Sequence, residues 1–299
     1  MRMNPFGTRR PADGQPRRRG GGIRWWILLL FAGYAAYYWV SNRTVDPYTG
    51  EKVLIDKNLT AEQEETLGLQ AFEQIMAQEQ PVDPNTEIAQ QIRSIADRLV
   101  DKVDEVEGAL AAEQGLEAQG FYEEFDWEVQ VLDSEQVNAF ALPGGKMAVY
   151  TGLVPVAENA DAMAAVMGHE IAHALQRHGA QRMTEQKLAQ IGQMAGAASG
   201  MDAGQMQAVM AVYGYGRALP YARKHETEAD YVGLMLMAAA CFDPREAVPL
   251  WERMSAASGG ASQPEFASTH PNPGTRIENL QSLMPKAMQY RERFCETAQ

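Results

Sequence analysis

Residues 168 to 173 read GHEIAH, and this short stretch constrains the fold more than any other. His169 and His173 are four residues apart, so on a helix they share one face, with β-carbons about 5–6 Å apart. Glu170 lies between them and projects into the same region. The surrounding apolar residues, Met163, Val166, Met167, Ile171, Ala174 and Leu175, fit a helix packed into the protein interior. Two unpartnered histidines there would be costly. H-x-x-x-H with an internal glutamate is the spacing by which two neutral imidazoles hold Zn2+ and a carboxylate serves as general base. A chance match on an ordinary helix is the competing reading.

A catalytic zinc site needs a third protein ligand and one open position. The stretch RKHETEADYVGL supplies a candidate. Glu226 and Asp230 are four apart on an expected helix of about 220 to 240, so both face one side. Glu226 suits the third ligand. Asp230 suits the outer carboxylate that fixes the tautomer of a ligand histidine. His225 and Glu228 read as exposed, and His178 reads as part of a helix C-terminal turn with Arg177 and Gly179.

The motifs HEIAH and ETEAD in this order resemble the HtpX-like and CAAX-prenyl-protease-like zinc peptidases. Two further segments match that family: NAFALPGG, Asn138 to Gly145, and STHPNPGTRI, Ser268 to Ile277. The resemblance covers about 45 to 290. It implies one Zn2+ per chain, with His169, His173 and Glu226 as metal ligands, Glu170 as catalytic base and Asp230 behind the ligands. Further implications are a zinc latch at His270 and an oxyanion-stabilising Arg276. The edge strand would align a peptide substrate through Asn138, Ala139 and Phe140, next to a turn at Gly144 and Gly145. The implied fold is mainly α with a small β-sheet, an α+β gluzincin-type metallopeptidase domain.

The N-terminal part reads differently. Residues 1 to 40 carry seven arginines against Asp13, a surplus of six positive charges, which leaves −19 for the rest of a chain whose net charge is −13. That acidic bulk excludes nucleic acid as a partner. The uncharged run WWILLLFAGYAAYYWV, residues 25 to 40, is slightly shorter than the ~20 residues of a usual spanning helix. Arg24 and Arg43 flank it, and aromatics cluster at its edges as they do at membrane interfaces. It reads as a transmembrane anchor, with a cleaved signal peptide as the alternative. Segmentation follows: a basic cytoplasmic tail at 1–24, the anchor at 25–40, a linker at 41–58, the peptidase domain at 59–290 and a C-terminal tail at 291–299. With the positive-inside rule, the expected location is a bacterial inner membrane with the catalytic domain in the periplasm.

Along the domain, Thr60 and Gln63 form a possible capping box. Ile88, Ile92, Ile95, Leu99, Val103 and Val106 predict one amphipathic helix. Phe125, Trp127, Val129 and Val131 predict a strand, and 138 to 150 a hairpin turning at Pro143, Gly144 and Gly145. Cys241 and Cys295 either bridge or remain free thiols, since spacing alone does not tell whether their α-carbons meet. The expected function is a membrane-anchored zinc endopeptidase acting on misfolded or stalled envelope polypeptides, with envelope assembly or protease complexes as possible partners. A chaperone or assembly factor with a latched zinc site is the alternative. A single apolar run argues against the CAAX-processing branch, which has many membrane helices.

Overall fold

The structure, a computed structural model, describes residues 23–257, 270 and 275–295. The basic residues before Ile23, the motif residues Ser268, Thr269 and Pro271, and positions 296–299 lie outside the described residues.

Helix α2, Ala61–Met76, starts where the sequence places it. The Thr60 side chain accepts from the Gln63 N–H, and the Gln63 side chain accepts from the Thr60 N–H. Two N–H groups with no intrahelical partner are satisfied together. The expected long helix after Thr86 is two helices, α3 (Glu87–Val100) and α4 (Val103–Glu113), broken at Asp101 and Lys102. Ile92, Ile95, Leu99, Val103 and Val106 are buried on both sides of the break. Apolar spacing reports which face is buried, not whether the backbone hydrogen bonds continue, so the break left no mark on the pattern.

Three strands form the main sheet, β3 (Glu128–Leu132), β4 (Ala139–Ala141) and β5 (Lys146–Tyr150), in the order β3-β5-β4. β5 is parallel to β3 and antiparallel to β4. All five residues of the central β5 are buried, while β4 is an edge strand lying against the helix that carries the histidines. Pro143, Gly144 and Gly145 make the turn between β4 and β5. Gly144 and Gly145 have φ of +82° and +85°, and a β-carbon on Gly144 would meet the Glu65 Cα at 2.9 Å. Only glycine fits both conditions.

The histidine helix is α6, Ala160–Leu175, after the short α5 (Val154–Ala157). The Asn159 side chain caps it by accepting from the Ala162 N–H at 2.8 Å. Every residue from Ala162 to Leu175 is buried, so this is a central rather than a surface helix. After α7 (His178–Ser199) and α8 (Ala203–Tyr213), a π-helical turn at Gly214–Ala218 leads into α9, Leu219–Ala239. α9 crosses α6 at two glycines. A β-carbon on Gly168 would sit 2.9 Å from the Gly233 carbonyl oxygen, and one on Gly233 would sit 2.7 Å from the His169 nitrogen. α10 (Ala247–Ala257) and α11 (Arg276–Cys295) close the core over these two helices. Cys241, after α9, and Cys295, ending α11, form a disulfide with α-carbons 5.6 Å apart. The C-terminal tail expected from 291 is thus helical and cross-linked as far as Cys295.

The N-terminal run expected to anchor the chain is not shown to span a membrane. The run at 25–40 is helical, as α1 (Trp25–Ser41), but 17 residues rise about 25 Å against a hydrocarbon core of about 30 Å. Among the described residues no helix is long and apolar enough to cross a membrane. α1 lies along α7: the Arg24 N–H donates to the Ser199 carbonyl at 2.8 Å, and the Tyr38 hydroxyl donates to Asp56 at 2.8 Å. Residues 41–58 are no slack linker. They fold into a hairpin, β1 (Arg43–Val45) with β2 (Lys52–Leu54), and bury Val53 and Ile55 beside Ala180 of α7.

The glycine crossing yields a test. Gly233→Ala forces α6 and α9 apart and should cost about 1–3 kcal/mol in urea-unfolding stability, the range for overpacking a tight core. Gly192→Ala, on the exposed face of α7 where an added β-carbon meets nothing within 4 Å, should be neutral or slightly stabilising.

Candidate metal centre

Four side chains from three places in the chain converge beside the glycine crossing. His169 Nε2 lies 3.1 Å from His173 Nε2. The Glu226 carboxylate on α9 reaches both, at 3.4 Å from His169 Nε2 and 3.6 Å from His173 Nε2. His270 Nδ1 lies 3.1 Å from Glu226 Oε2 and 3.4 Å from His169 Nε2. Two imidazole nitrogens and a carboxylate facing one another this closely, all nearly inaccessible, make a group able to hold a metal ion. Atoms bound tetrahedrally to zinc at about 2.0–2.1 Å stand about 3.3 Å from each other, which is the spacing of this cluster. The donor set, imidazoles plus one carboxylate, also suits zinc.

Asp230 is one helical turn after Glu226, with Oδ1 2.9 Å from His169 Nδ1. A carboxylate there keeps the proton on Nδ1 and turns the Nε2 lone pair toward the metal position. Arg276, at the start of α11, binds both carboxylates of α9: Nε donates to Asp230 at 2.6 Å and Nη2 to Glu226 at 2.9 Å. Its guanidinium stacks on the Trp251 ring at 3.9 Å, and its side chain is fully buried. Arg276, for which an oxyanion-stabilising role was expected, thus has Nε and Nη2 engaged by carboxylates beside the cluster.

Glu170 is buried on the other side of the cluster, 3.5 Å from His270 Nε2. Burial raises its pKa above the usual carboxylate range, although His270 and His169 oppose this. The backbone N–H of Ala141 in β4 is directed at the same carboxylate. The edge strand therefore runs past the base. For Glu226, burial favours the neutral acid, but His169 and His270 prevail and hold it ionised well below its ordinary range.

Three residues read as structural or exposed prove to be buried together. His178, His225 and Glu228 form a second compact group of ligating side chains next to the first. His178 does not end the histidine helix; Arg177 takes a left-handed turn at φ +54° and His178 begins α7. The three-residue spacing of His225 and Glu228 on α9, beside Glu226, was the available signal that they share a face.

The fold and this site define a class: an α+β metallopeptidase domain with an H-E-x-x-H helix, a glutamate from a later helix and an edge strand beside the base. The chain belongs to Peptidase family M48, which matches residues 101–284, and so to the zinc metallopeptidases. It is 34% identical to the mitochondrial metalloendopeptidase OMA1 of Schizosaccharomyces pombe over 279 residues, 93% of this chain and 77% of that protein. Human metalloendopeptidase OMA1, mitochondrial, is 36% identical over 56% of this chain but only 34% of its own length. The β-barrel assembly-enhancing protease of Escherichia coli is 27% identical over 55% of this chain and 36% of its own. The chain thus spans most of the fission-yeast relative and about a third of the other two. The expected bacterial inner-membrane and periplasmic location is overturned. Relatives from fungi, animals and plants that match at 34–37% identity are named as mitochondrial enzymes, and no described helix provides the spanning anchor on which that location rested.

The buried histidines give a pH expectation. Burial, with Arg182 and Lys224 nearby, holds His178 down to about 3, and burial holds His225 down to about 2. Both are about 6.5 when unfolded. A lowered folded-state pKa contributes stability that is present above pH 6.5 and lost as pH falls from there toward 3. Urea melts of chelator-treated protein at pH 7.5, 6.5 and 5.5 should show that fall, and His225→Gln should flatten it.

Proposed function

We propose that this chain is a one-zinc endopeptidase of protein quality control that captures extended segments of misfolded or stalled membrane proteins and hydrolyses them. The observation that carries the reading is the convergence of His169, His173 and Glu226 to 3.1–3.6 Å with Glu170 at their side. In this reading those three hold one Zn2+, Asp230 fixes His169, and Arg276 fixes Asp230 and Glu226. Bound zinc would lower the pKa of a water toward ~7 and polarise the scissile carbonyl. Glu170 takes the proton from the attacking water, and its raised pKa suits it to pass that proton on to the leaving amine.

Substrate would add to the outer edge of β4. Ala139 and Ala141 turn their backbone groups to that outer edge, whereas the alternate residues Asn138, Phe140 and Leu142 pair inward with β5, and Gly144 and Gly145 hold the turn. Exposed Trp25, Trp26, Leu29 and Leu30 on α1 support association with membranes without requiring a span. A second reading, an assembly factor with a latched site, is favoured by His270: it stands where a fourth zinc ligand would and also faces Glu170.

Two measurements test this. Purified wild type should carry about one zinc per chain and Glu226→Gln very little, whereas Glu170→Gln should keep the metal and lose about 10²–10⁴-fold in peptide hydrolysis. Wild type without zinc would sink the peptidase reading. If His270 latches the site, His270→Ala should hydrolyse a casein or unfolded-peptide substrate faster than wild type; equal or slower hydrolysis removes the latch.

A further inference from the structure

His173 is the one histidine of the H-E-x-x-H pair with no carboxylate behind it. Asp230 stands at Nδ1 of His169. At the corresponding atom of His173 stands another imidazole: His178 Nδ1 lies 2.7 Å from His173 Nδ1, and both rings are buried. So short a nitrogen–nitrogen contact holds one shared proton. Past it, Glu228 Oε2 faces His178 Nε2 at 3.6 Å, an ion-pair rather than a hydrogen-bond distance, and both atoms are buried with no hydrogen-bond partner among the described residues. His225 stacks on His178 at 4.1 Å with rings 13° from parallel, and its own Nε2 faces Gln181 Oε1 at 3.1 Å.

The proton can be assigned by valence alone, given the zinc ligation proposed above, on which this inference rests. His173 presents Nε2 to His169 and Glu226, so a metal there takes the Nε2 lone pair. A neutral imidazole carries one proton, and His173 must then carry it on Nδ1. That N–H points at His178 Nδ1, which is therefore bare, and the His178 proton sits on Nε2, directed at Glu228. The same reasoning excludes a second cation held by His178, His225 and Glu228. With Nδ1 accepting and Nε2 protonated, a neutral His178 has no lone pair left to offer.

We propose that His178 is a positioning residue that holds His173 in its metal-binding tautomer, with Glu228 as the carboxylate that orients His178. The line Glu228–His178–His173 does over two residues what Asp230 does directly for His169. Lys224 Nζ, 3.3 Å from Glu228 Oε1, keeps that carboxylate in place. The backbone explains the detour. The left-handed turn at Arg177 folds α7 back so that its first residue lies under the last turn of α6. Carboxylates from α9 reach His169 from one side only, and the imidazole of His178 spans the remaining distance.

The chain has five histidines, so selective ¹⁵N-histidine labelling of the full-length, zinc-loaded protein reads the tautomers directly by long-range ¹H–¹⁵N correlation. His173 should be protonated on Nδ1 and His178 on Nε2. His178 protonated on Nδ1 would overturn the proposal. In chelator competition, His178→Leu should lose about 10- to 100-fold in zinc affinity, as expected for the partner of a ligand histidine. His178→Asn, whose amide oxygen can accept in place of Nδ1, should recover most of that loss. Equal affinity in wild type and both variants also overturns it, and circular dichroism of the metal-free forms separates misfolding from weak binding. If His178→Leu does not fold, the tautomer measurement decides alone. Wild type that takes up no zinc removes the peptidase reading and this inference together; zinc uptake with the opposite tautomer removes only this one.

Discussion

Everything in the site depends on how closely α6 and α9 cross. Gly168 and Gly233 put the two backbones in direct contact, and His169 is the residue after one of them. Helices separated by ordinary side chains lie about 8–10 Å apart. With larger residues here, Glu226 would stand back from the two imidazoles and no single ion would reach all three. The glycines cost helix propensity, roughly 1 kcal/mol each against alanine. The crossing offsets that cost with the close packing of Val166, Met167, Val232 and Leu236 around it.

Burying so many charged groups is sustained by pairing them. Glu226 and Asp230 are acidic and nearly inaccessible, and Arg276 supplies the positive charge that a buried carboxylate pair requires. Trp251 covers the guanidinium face and closes the back of the site. The front is left to Glu170, His270 and β4. This polarity, a sealed electrostatic frame behind and an edge strand ahead, is what a hydrolase needs to keep ligands rigid while admitting a chain.

The N-terminal segment shows that an apolar run can also have partners distant in sequence. α1 and the hairpin after it are held on α7 by Tyr38, Asp56 and Thr184: the hydroxyl of Thr184 accepts from the Asp56 N–H at 2.9 Å across 128 residues. Lys187 also pairs with Asp56. Length, flanking arginines and aromatics give the pattern of a membrane span, and these long-range hydrogen bonds in addition join the end of α1 to the domain.

Local regularities were legible in the sequence. The capping box at Thr60, the turn at Pro143–Gly145 and the shared faces of His169 with His173 and of Glu226 with Asp230 follow from short-range spacing, because backbone hydrogen bonds and side-chain periodicity act over a few residues; that these faces meet beside an edge strand was implied by the family resemblance. What depends on packing between distant segments did not follow. The break between α3 and α4 leaves apolar spacing unchanged. The contacts of Arg276 with Asp230, Glu226 and Trp251 join segments far apart in sequence. His225 and Glu228 looked exposed, and His178 looked like part of a helix-ending turn, because the contacts that group them lie between two helices. The sequence by itself determined the metal chemistry, through residue types that permit little else at those spacings; the tertiary structure alone decided how each ligand is held, since a proton's position on an imidazole is set by whatever atom happens to stand behind it.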